Sequence, residues 1–250
     1  MGTSTTISGG HAKITIYGDG TVVGGNGNDT VHITGNGRVS LGNGDDKIGV
    51  GGNGTITAGS GTDTIYLAGN GRINLGAGRD TIHLGSGFDR IHEAGSATVI
   101  GAFGNATISG GDLKIGESHG IFDVTAKDGA ATLLGGSAAA EFIGGSGTTV
   151  MQGGSGSDTF VGGSGTDTMM GGTGDNLFAF LKGVGGTHVI TNFVHGSDKL
   201  YLEGYTLSTL PPGDSVTHTG GVTTIKLDGG ATVVTVNGSI TGADITTHKP

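Results

Sequence analysis

The sequence predicts an all-β fold, a right-handed parallel β-roll or β-solenoid with a small C-terminal β cap, and three observations predict it. Glycine occupies 58 of the 250 positions, against about 7% in ordinary proteins. Asp29, Asp46, Asp63 and Asp80 recur every 17 residues. In the same register stand Val31, Ile48, Ile65 and Ile82, with Ile33, Val50, Leu67 and Leu84 beside them.

The first block, residues 1–93, is built from units such as GNGDDKIGVGGNGTITA and GSGTDTIYLAGNGRINL. Each unit holds two short strands in which inward Val, Ile or Leu alternates with outward Thr, His, Arg or Ser. Val39, Ile56 and Ile73 form the inward column of the second strand. A strand this short cannot bury its apolar face alone, whereas stacked units make a continuous thin core, each coil rising about 4.8 Å. The two turns of a unit differ. One carries GxGxD. The other carries GNG, with Asn36, Asn53 and Asn70 again 17 apart, and stacked Asn amides can bond along a ladder. One edge is therefore expected to be ionic and the other amide-laced. Run backwards, the register gives an earlier coil at residues 8–24, with Ala12 in the Asp column.

Residues 94–134 keep alternating β-branched and small residues but lose the Asp column, and are expected to be irregular solenoid coils. From Gly135 to residue 180 the chain falls into nonapeptides, among them GGSGSDTFV and GGSGTDTMM. Their sixth positions read Ala140, Thr149, Asp158, Asp167 and Asn176. Residues 181–250 form the expected β cap, with a hairpin turned at Asp228–Gly230.

Composition excludes several classes of function. With 12 Lys+Arg, a net charge of −9 and no basic cluster, nucleic acid is not an expected partner. There is no Cys, so no disulfide or thiolate site. No apolar run approaches the ~18 residues of a membrane span, so membrane insertion is not expected. MGTSTTISGG has neither the charged nor the apolar region of a secretory signal peptide. The nine His residues show no HxH or HExxH spacing, and no catalytic site is expected.

The Asp turns point to a hard cation. Calcium takes about six to eight oxygen ligands, and a GxGxD turn combines carbonyls unobstructed by side chains with one carboxylate. Without cations, carboxylates stacked roughly 5 Å apart would cost roughly 3 kcal/mol per neighbouring pair at an effective dielectric of about 20. Ion binding would then be folding energy.

These motifs resemble the RTX, or hemolysin-type, calcium-binding nonapeptide repeats, GGxGxDxUx with U a large apolar residue. The resemblance spans most of residues 18–180 and implies Ca²⁺ held between stacked turns. By position it implies carboxylate ligands from Asp29, Asp46, Asp63, Asp80, Asp89, Asp158 and Asp167. It implies carbonyl ligands from Gly25, Gly27, Gly42, Gly44, Gly59, Gly61, Gly76, Gly78, Gly154, Gly156, Gly163 and Gly165. Thr149 and Asn176 depart from the motif, and the 17-residue unit departs from two nonapeptides, so one edge of the first block is expected to bind ions. The tail from GGTHVITNF to NGSITGADI looks like the end of proteins exported by type I secretion, which carry an uncleaved C-terminal signal.

The expectation is a secreted, extracellular or cell-surface structural protein that folds on calcium. It would form surface or matrix material, with head-to-tail self-assembly into filaments and a surface polysaccharide as partners. The alternatives are a calcium-dependent secretion or glycan-binding module, and a solenoid enzyme acting on acidic polysaccharide.

Overall fold

A computed structural model describes residues 2–6, 10–101, 105–110, 112–115, 122–126, 129–205, 210–238 and 240–246. Residues 8 and 9 of the earliest coil, and parts of the irregular segment 94–134, lie outside these. Two compact units are present, Met1–Ile121 and Phe122–Pro250. The fold is the expected parallel β-solenoid, of about 10 turns, with a mixed antiparallel sheet at the C-terminus.

The first unit contains β1 (Thr3–Thr6), β2 (Lys13–Ile16), β3 (Gly20–Val23), β4 (Thr30–Ile33), β5 (Gly37–Ser40), β6 (Lys47–Val50) and β7 (Gly54–Thr57). It continues with β8 (Thr64–Leu67), β9 (Gly71–Leu75), β10 (Arg79–Leu84), β11 (Phe88–Glu93), β12 (Ser96–Gly101), β13 (Asn105–Gly110) and β14 (Asp112–Ile115). Odd strands line up as one parallel sheet and even strands as the other. Each strand pairs with the strand one coil on: Val31 sits beside Ile48, Ile48 beside Ile65, and Ile65 beside Ile82.

The inward residues of both sheets are the columns read from the sequence. Val22, Val39, Ile56 and Ile73 on one sheet, and Val31, Ile48, Ile65 and Ile82 on the other, are buried. The core between them is thin. A Cβ on Gly54, the first residue of β7, would lie 2.7 Å from Leu67 Cδ1, so glycine there lets a leucine cross the interior. At Gly44 the constraint is backbone: its φ is +145°, and a Cβ would collide with the Gly27 carbonyl one coil below.

The second unit contains β15 (Phe122–Ala126), β16 (Ala131–Leu134), β17 (Ala140–Ile143), β18 (Thr148–Gly154), β19 (Thr159–Val161), β20 (Thr166–Gly172) and β21 (Leu177–Phe180). After these come β22 (Gly186–Ile190), β23 (Lys199–Leu202), β24 (Ser215–Thr219), β25 (Val222–Leu227), β26 (Thr232–Asn237) and β27 (Ile245–Thr246). Here the inward column is aromatic. Phe142, Phe160 and Phe178 stack at centroid separations of 5.3 and 4.9 Å, a ladder that fills the wider 18-residue coil. The parallel stacking ends when β26 pairs parallel with β22 but antiparallel with β25, which pairs antiparallel with β24. The β25–β26 hairpin turns at Asp228–Gly230, as the sequence predicts.

Candidate metal centre

Asp29, Asp46 and Asp63 stand at the end of the GxGxD turn, just before β4, β6 and β8, and Asp80 is the second residue of β10. Period-2 alternation carries each of them inward with the core residue two places on, and all four are buried. One carboxylate oxygen of each is used structurally. Asp46 Oδ1 accepts the Asp29 N–H at 2.8 Å, Asp63 Oδ1 the Asp46 N–H at 2.9 Å, and Asp80 Oδ1 the Asp63 N–H at 2.7 Å. Asp29 Oδ1 accepts the Ala12 N–H at 2.8 Å, so the earliest coil joins the ladder without adding a charge. The second oxygen of each, Oδ2, is buried with no hydrogen-bond partner.

A buried, unpartnered carboxylate oxygen is costly, and the column answers by favouring the protonated form. Burial pushes Asp46 up to about 6 and Asp63 up to about 7, with the charges of neighbouring Asp residues adding to the shift. Asp80 is raised for the same reason. No Lys or Arg neutralises the column: the ion pairs among the described residues are both His–Asp and lie in the second unit.

Two further acidic residues belong to this region and lie outside the GxGxD motif. Glu93 continues the inward column of Leu75, is buried, and lies close enough to Asp80 for the two carboxyls to influence each other. Burial pushes its carboxyl to about 8, Asp80's charge adds to that, and its Oε2 has no partner. Period-2 counting from inward Ile91 would have found it. Asp19 does on the other edge what Asn does elsewhere, its Oδ1 accepting the Asn36 N–H at 2.7 Å.

The expected division into an ionic and an amide edge needs correction. The Asn edge is a ladder, with Asn36 Oδ1 accepting from Asn53 N–H at 2.8 Å and Asn53 Oδ1 from Asn70 N–H at 2.9 Å. The Asp edge carries ladders too, on its outer rim. Asn26 Oδ1 accepts from Asn43 N–H, Asn28 Oδ1 from Asp45 N–H, and Asp45 Oδ1 from Thr62 N–H, all at 2.8–2.9 Å. Asp45 is therefore an exposed ladder residue while Asp46 is an inward one. Asp89 stands on the opposite edge from Asp80, paired in register with Gly71. It is buried, has an unpartnered Oδ1, and burial raises its carboxyl to about 6.

In the second unit the carboxylates are interspersed. On one edge Ala140 N–H donates to Asp158 Oδ1 at 2.8 Å, Asp158 N–H to Asn176 Oδ1 at 3.0 Å, and Asn176 N–H to Asp198 Oδ1 at 3.0 Å. On the other edge Asp167 lies between Thr149 and His188. His188 Nδ1 is 2.9 Å from Asp167 Oδ2 and its Nε2 is 3.2 Å from the Gly185 carbonyl. Both ring nitrogens thus face acceptors, an arrangement a protonated imidazole satisfies. Asp198 and buried His188 lie beyond the motif, and inward alternation from Leu200 and Ile190 is the signal that finds them.

Of the twelve glycine carbonyls that the resemblance implies, six accept a backbone hydrogen bond from the next coil. Gly25, Gly42 and Gly59 accept from Gly42, Gly59 and Gly76 N–H at 2.8–3.1 Å. Gly27, Gly44 and Gly61 place their carbonyls against the Cα of Gly44, Gly61 and Gly78. Gly78 accepts from Ser96, Gly154 from Thr173 and Gly165 from Thr187, each at 2.9 Å. The Gly156 carbonyl abuts Gly174, and Gly163 N–H donates to Asp167 Oδ2 at 3.1 Å. A carbonyl oxygen has two lone pairs, so one remains on each of these acceptors.

These donors fit calcium. Orphaned oxygens lie on every carboxylate of the set: Asp29, Asp46, Asp63, Asp80, Asp89, Asp158 and Asp167. A cradle is plainest at Gly153, where a Cβ would touch Asp158 Oδ2 and lie 2.6 Å from the Gly171 carbonyl of the next coil. At Gly144 a Cβ would lie 2.7 and 2.8 Å from the two Asp167 oxygens. Among the described residues no three His, Asp or Glu side chains form a metal cage. An ion in these turns would therefore take one carboxylate per coil and most of its oxygens from backbone, a hard-donor set that suits Ca²⁺.

Fold and site together define a class, the parallel β-solenoid whose turns present carboxylates and glycine carbonyls to a hard cation. The family model of the RTX calcium-binding nonapeptide repeat matches in four copies, at residues 15–32, 48–69, 67–91 and 143–178. The chain carries RTX repeats, and RTX nonapeptide repeats bind Ca²⁺. Asp46 falls between the matched stretches, although its geometry is that of Asp29 and Asp63. No curated protein matches the chain.

Proposed function

We propose that this calcium-binding structural protein is exported and sets into its rod on meeting extracellular calcium, contributing surface or matrix material. The observation that carries the reading is the file of buried carboxylates with orphaned oxygens and no basic partner. Such a column is poorly tolerated at neutral pH in a cell interior poor in free calcium, and is neutralised outside. RTX repeat proteins are typically exported and typically non-catalytic, and no helix of the described residues is long and apolar enough to cross a membrane. In this proposal the uncleaved export signal lies in the segment β22–β27, whose sequence resembles the end of proteins exported by type I secretion.

Filament growth belongs to the same proposal. Among the described residues β2 pairs on one side only, with β4, and Ile14 is half-exposed beside it. An unpaired strand edge over an apolar column is a site for strand addition. Electron microscopy and sedimentation of the purified chain, with calcium and after chelation, test this. Filaments that appear with calcium and are blocked by Ile14→Lys are expected. A calcium-loaded chain that stays monomeric over a wide concentration range overturns the filament and favours a detached secretion or glycan-binding module.

A further inference from the structure

The outer face of the even-numbered sheet in the first unit carries a column that the calcium chemistry does not use. In register it reads Thr15, His32, Gly49, Tyr66 and His83. Tyr66 and His83 stack face to face, centroids 4.4 Å apart and planes 3° from parallel. The column is thus a stack of rings with one rung missing, at Gly49. His32 leans over the gap from the coil before, since a Cβ on Gly49 would lie 3.0 Å from His32 Nδ1. Tyr66, 43% exposed, closes it from the coil after. These residues line a cavity of about 540 Å³ together with Thr30 and Lys47.

Backbone geometry does not demand this glycine. Gly49 is an ordinary strand residue with no positive φ, and glycine weakens a strand. What it provides is the slot. Lys47 stands at the slot's side, its Nζ 5.9 Å from the Tyr66 ring centroid. No Asp or Glu lines the cavity, in a chain of net charge −9.

We propose that this slot binds a pyranose ring bearing a carboxylate, a residue of an anionic polysaccharide, sandwiched between His32 and Tyr66 with its carboxylate paired to Lys47. The missing rung sets the His32 and Tyr66 backbones two strand spacings apart, about 9.6 Å, with the His32 ring tilted into that space. Flat carbon faces gain most at about 3.5–4.0 Å, so a puckered sugar chair fills the slot better than a planar ring. Its C–H faces meet the two rings, and its rim hydroxyls reach Thr30. The charge of Lys47, in a cavity lined by no Asp or Glu, selects an anionic sugar over a neutral one. The slot opens on the outer face, whereas Asp29 and Asp46, next in the chain to Thr30 and Lys47, point inward, so calcium-coupled folding and sugar binding are read separately.

The test uses the calcium-loaded full chain at fixed free calcium. Probes are hexasaccharides of hyaluronan, polygalacturonate and polyguluronate, with their carboxyl-reduced counterparts, followed by calorimetry and backbone-amide NMR. At least one acidic hexasaccharide is expected to bind saturably and to shift the amides of His32, Gly49 and Tyr66. Gly49→Leu, which fills the slot, and Tyr66→Ala, which removes a wall, each weaken that binding by roughly tenfold or more. Lys47→Gln weakens the acidic sugar by a similar factor and leaves its carboxyl-reduced form unchanged. Circular dichroism confirms that each variant still folds on calcium. The proposal is overturned if no acidic hexasaccharide binds, if Gly49→Leu binds as wild type does, or if acidic and reduced sugars bind alike. Self-association of the wild type that Gly49→Leu abolishes, without sugar binding, assigns the slot to a second copy and overturns it too.

Discussion

The two units solve the same stacking problem with different charge arrangements. In the first, Asp29, Asp46, Asp63 and Asp80 stand in single file, each with a like charge above or below, and Glu93 adds a further acid at the end. In the second, Asn176 separates Asp158 from Asp198, and His188 answers Asp167. The inter-coil hydrogen bond from backbone N–H to the Asx Oδ1 is common to both, so it does not require charge. Charge is an addition to a ladder that amides build equally well. The first unit concentrates it, which makes that unit depend on whatever neutralises it. The second dilutes it and has its own aromatic ladder.

The largest expected effect follows from withdrawing calcium. Hydrogen exchange in calcium-free buffer should show protection lost around Val31, Ile48 and Ile65, while amides around Phe142, Phe160 and Phe178 retain more of theirs. Simultaneous loss in both units would break the comparison.

Acid should partly replace calcium in the first unit. Asp46, Asp63 and Glu93 have folded-state values near 6, 7 and 8, above their ordinary 3.8 and 4.5. A raised carboxyl takes up its proton more readily in the folded chain, so its contribution is greatest below its ordinary value and lost as pH rises through its folded one. Metal-free protein should therefore gain stability in this unit between about pH 8 and pH 4. The second unit has Asp158 raised to about 6 by burial, but other groups pull the opposite way. At Asp228 the hydrogen bond from Tyr205 leads in lowering the carboxyl, and at Asp244 bonds from Thr241, Gly196 and His195 outweigh burial. Stability from these two is lost as pH falls through their folded values. Thermal melts across this range, followed by unit-specific exchange, should show opposite trends at the acid end. Parallel trends would refute the contrast.

A smaller and sharper effect comes from Asp63→Asn, which gives the first unit the solution used at Asn176. The Asp46 N–H keeps its acceptor, and one charge leaves the middle of the file. Metal-free stability should rise, by up to roughly 3 kcal/mol for each relieved neighbour, while calcium affinity falls. Chemical denaturation with and without calcium would show the sign reverse. A loss in both conditions means that charge was not what the column stored.

The smallest effect is on the amide edge. Asn53→Ala removes the acceptor of the Asn70 N–H, a loss of about 1 kcal/mol, and should leave the number of calcium ions bound unchanged in calorimetry.

Much of this was legible because a stacked coil repeats its physics. The Asp column, the Val/Ile columns and the Asn ladder recur at one spacing, and each recurrence confirms the last. Glu93, His188 and Asp198 were less legible because each occurs once, outside the GxGxD pattern. Motif matching follows the turns, whereas these residues announce themselves only through strand alternation. The outer-rim ladders at Asn26, Asn28 and Asp45 were hidden for another reason. Asn, Asp, Ser and Thr alternate there, and what repeats is the backbone N–H that each coil offers to the one beneath it.

The ladders also run in opposite senses. On the inner Asp file a backbone N–H reaches forward to the next coil's carboxylate, whereas on the Asn edge it reaches back to the previous coil's amide. Every coil is thus clasped from both sides, and chain length in this region is quantised. Excising residues 42–58 would bring the Asp29 N–H to Asp63 Oδ1 and the Asn70 N–H to Asn36 Oδ1. On the rim it would set Ser60 on Asn26 and Thr62 on Asn28, so every ladder would close again. An excision one residue longer or shorter within a strand would misalign its ladder and turn its apolar column to the wrong face. A single extra residue is accommodated only where a turn absorbs it, as between Gly71 and Asp89, which pair in register 18 apart while Phe88 N–H still reaches Asn70 Oδ1.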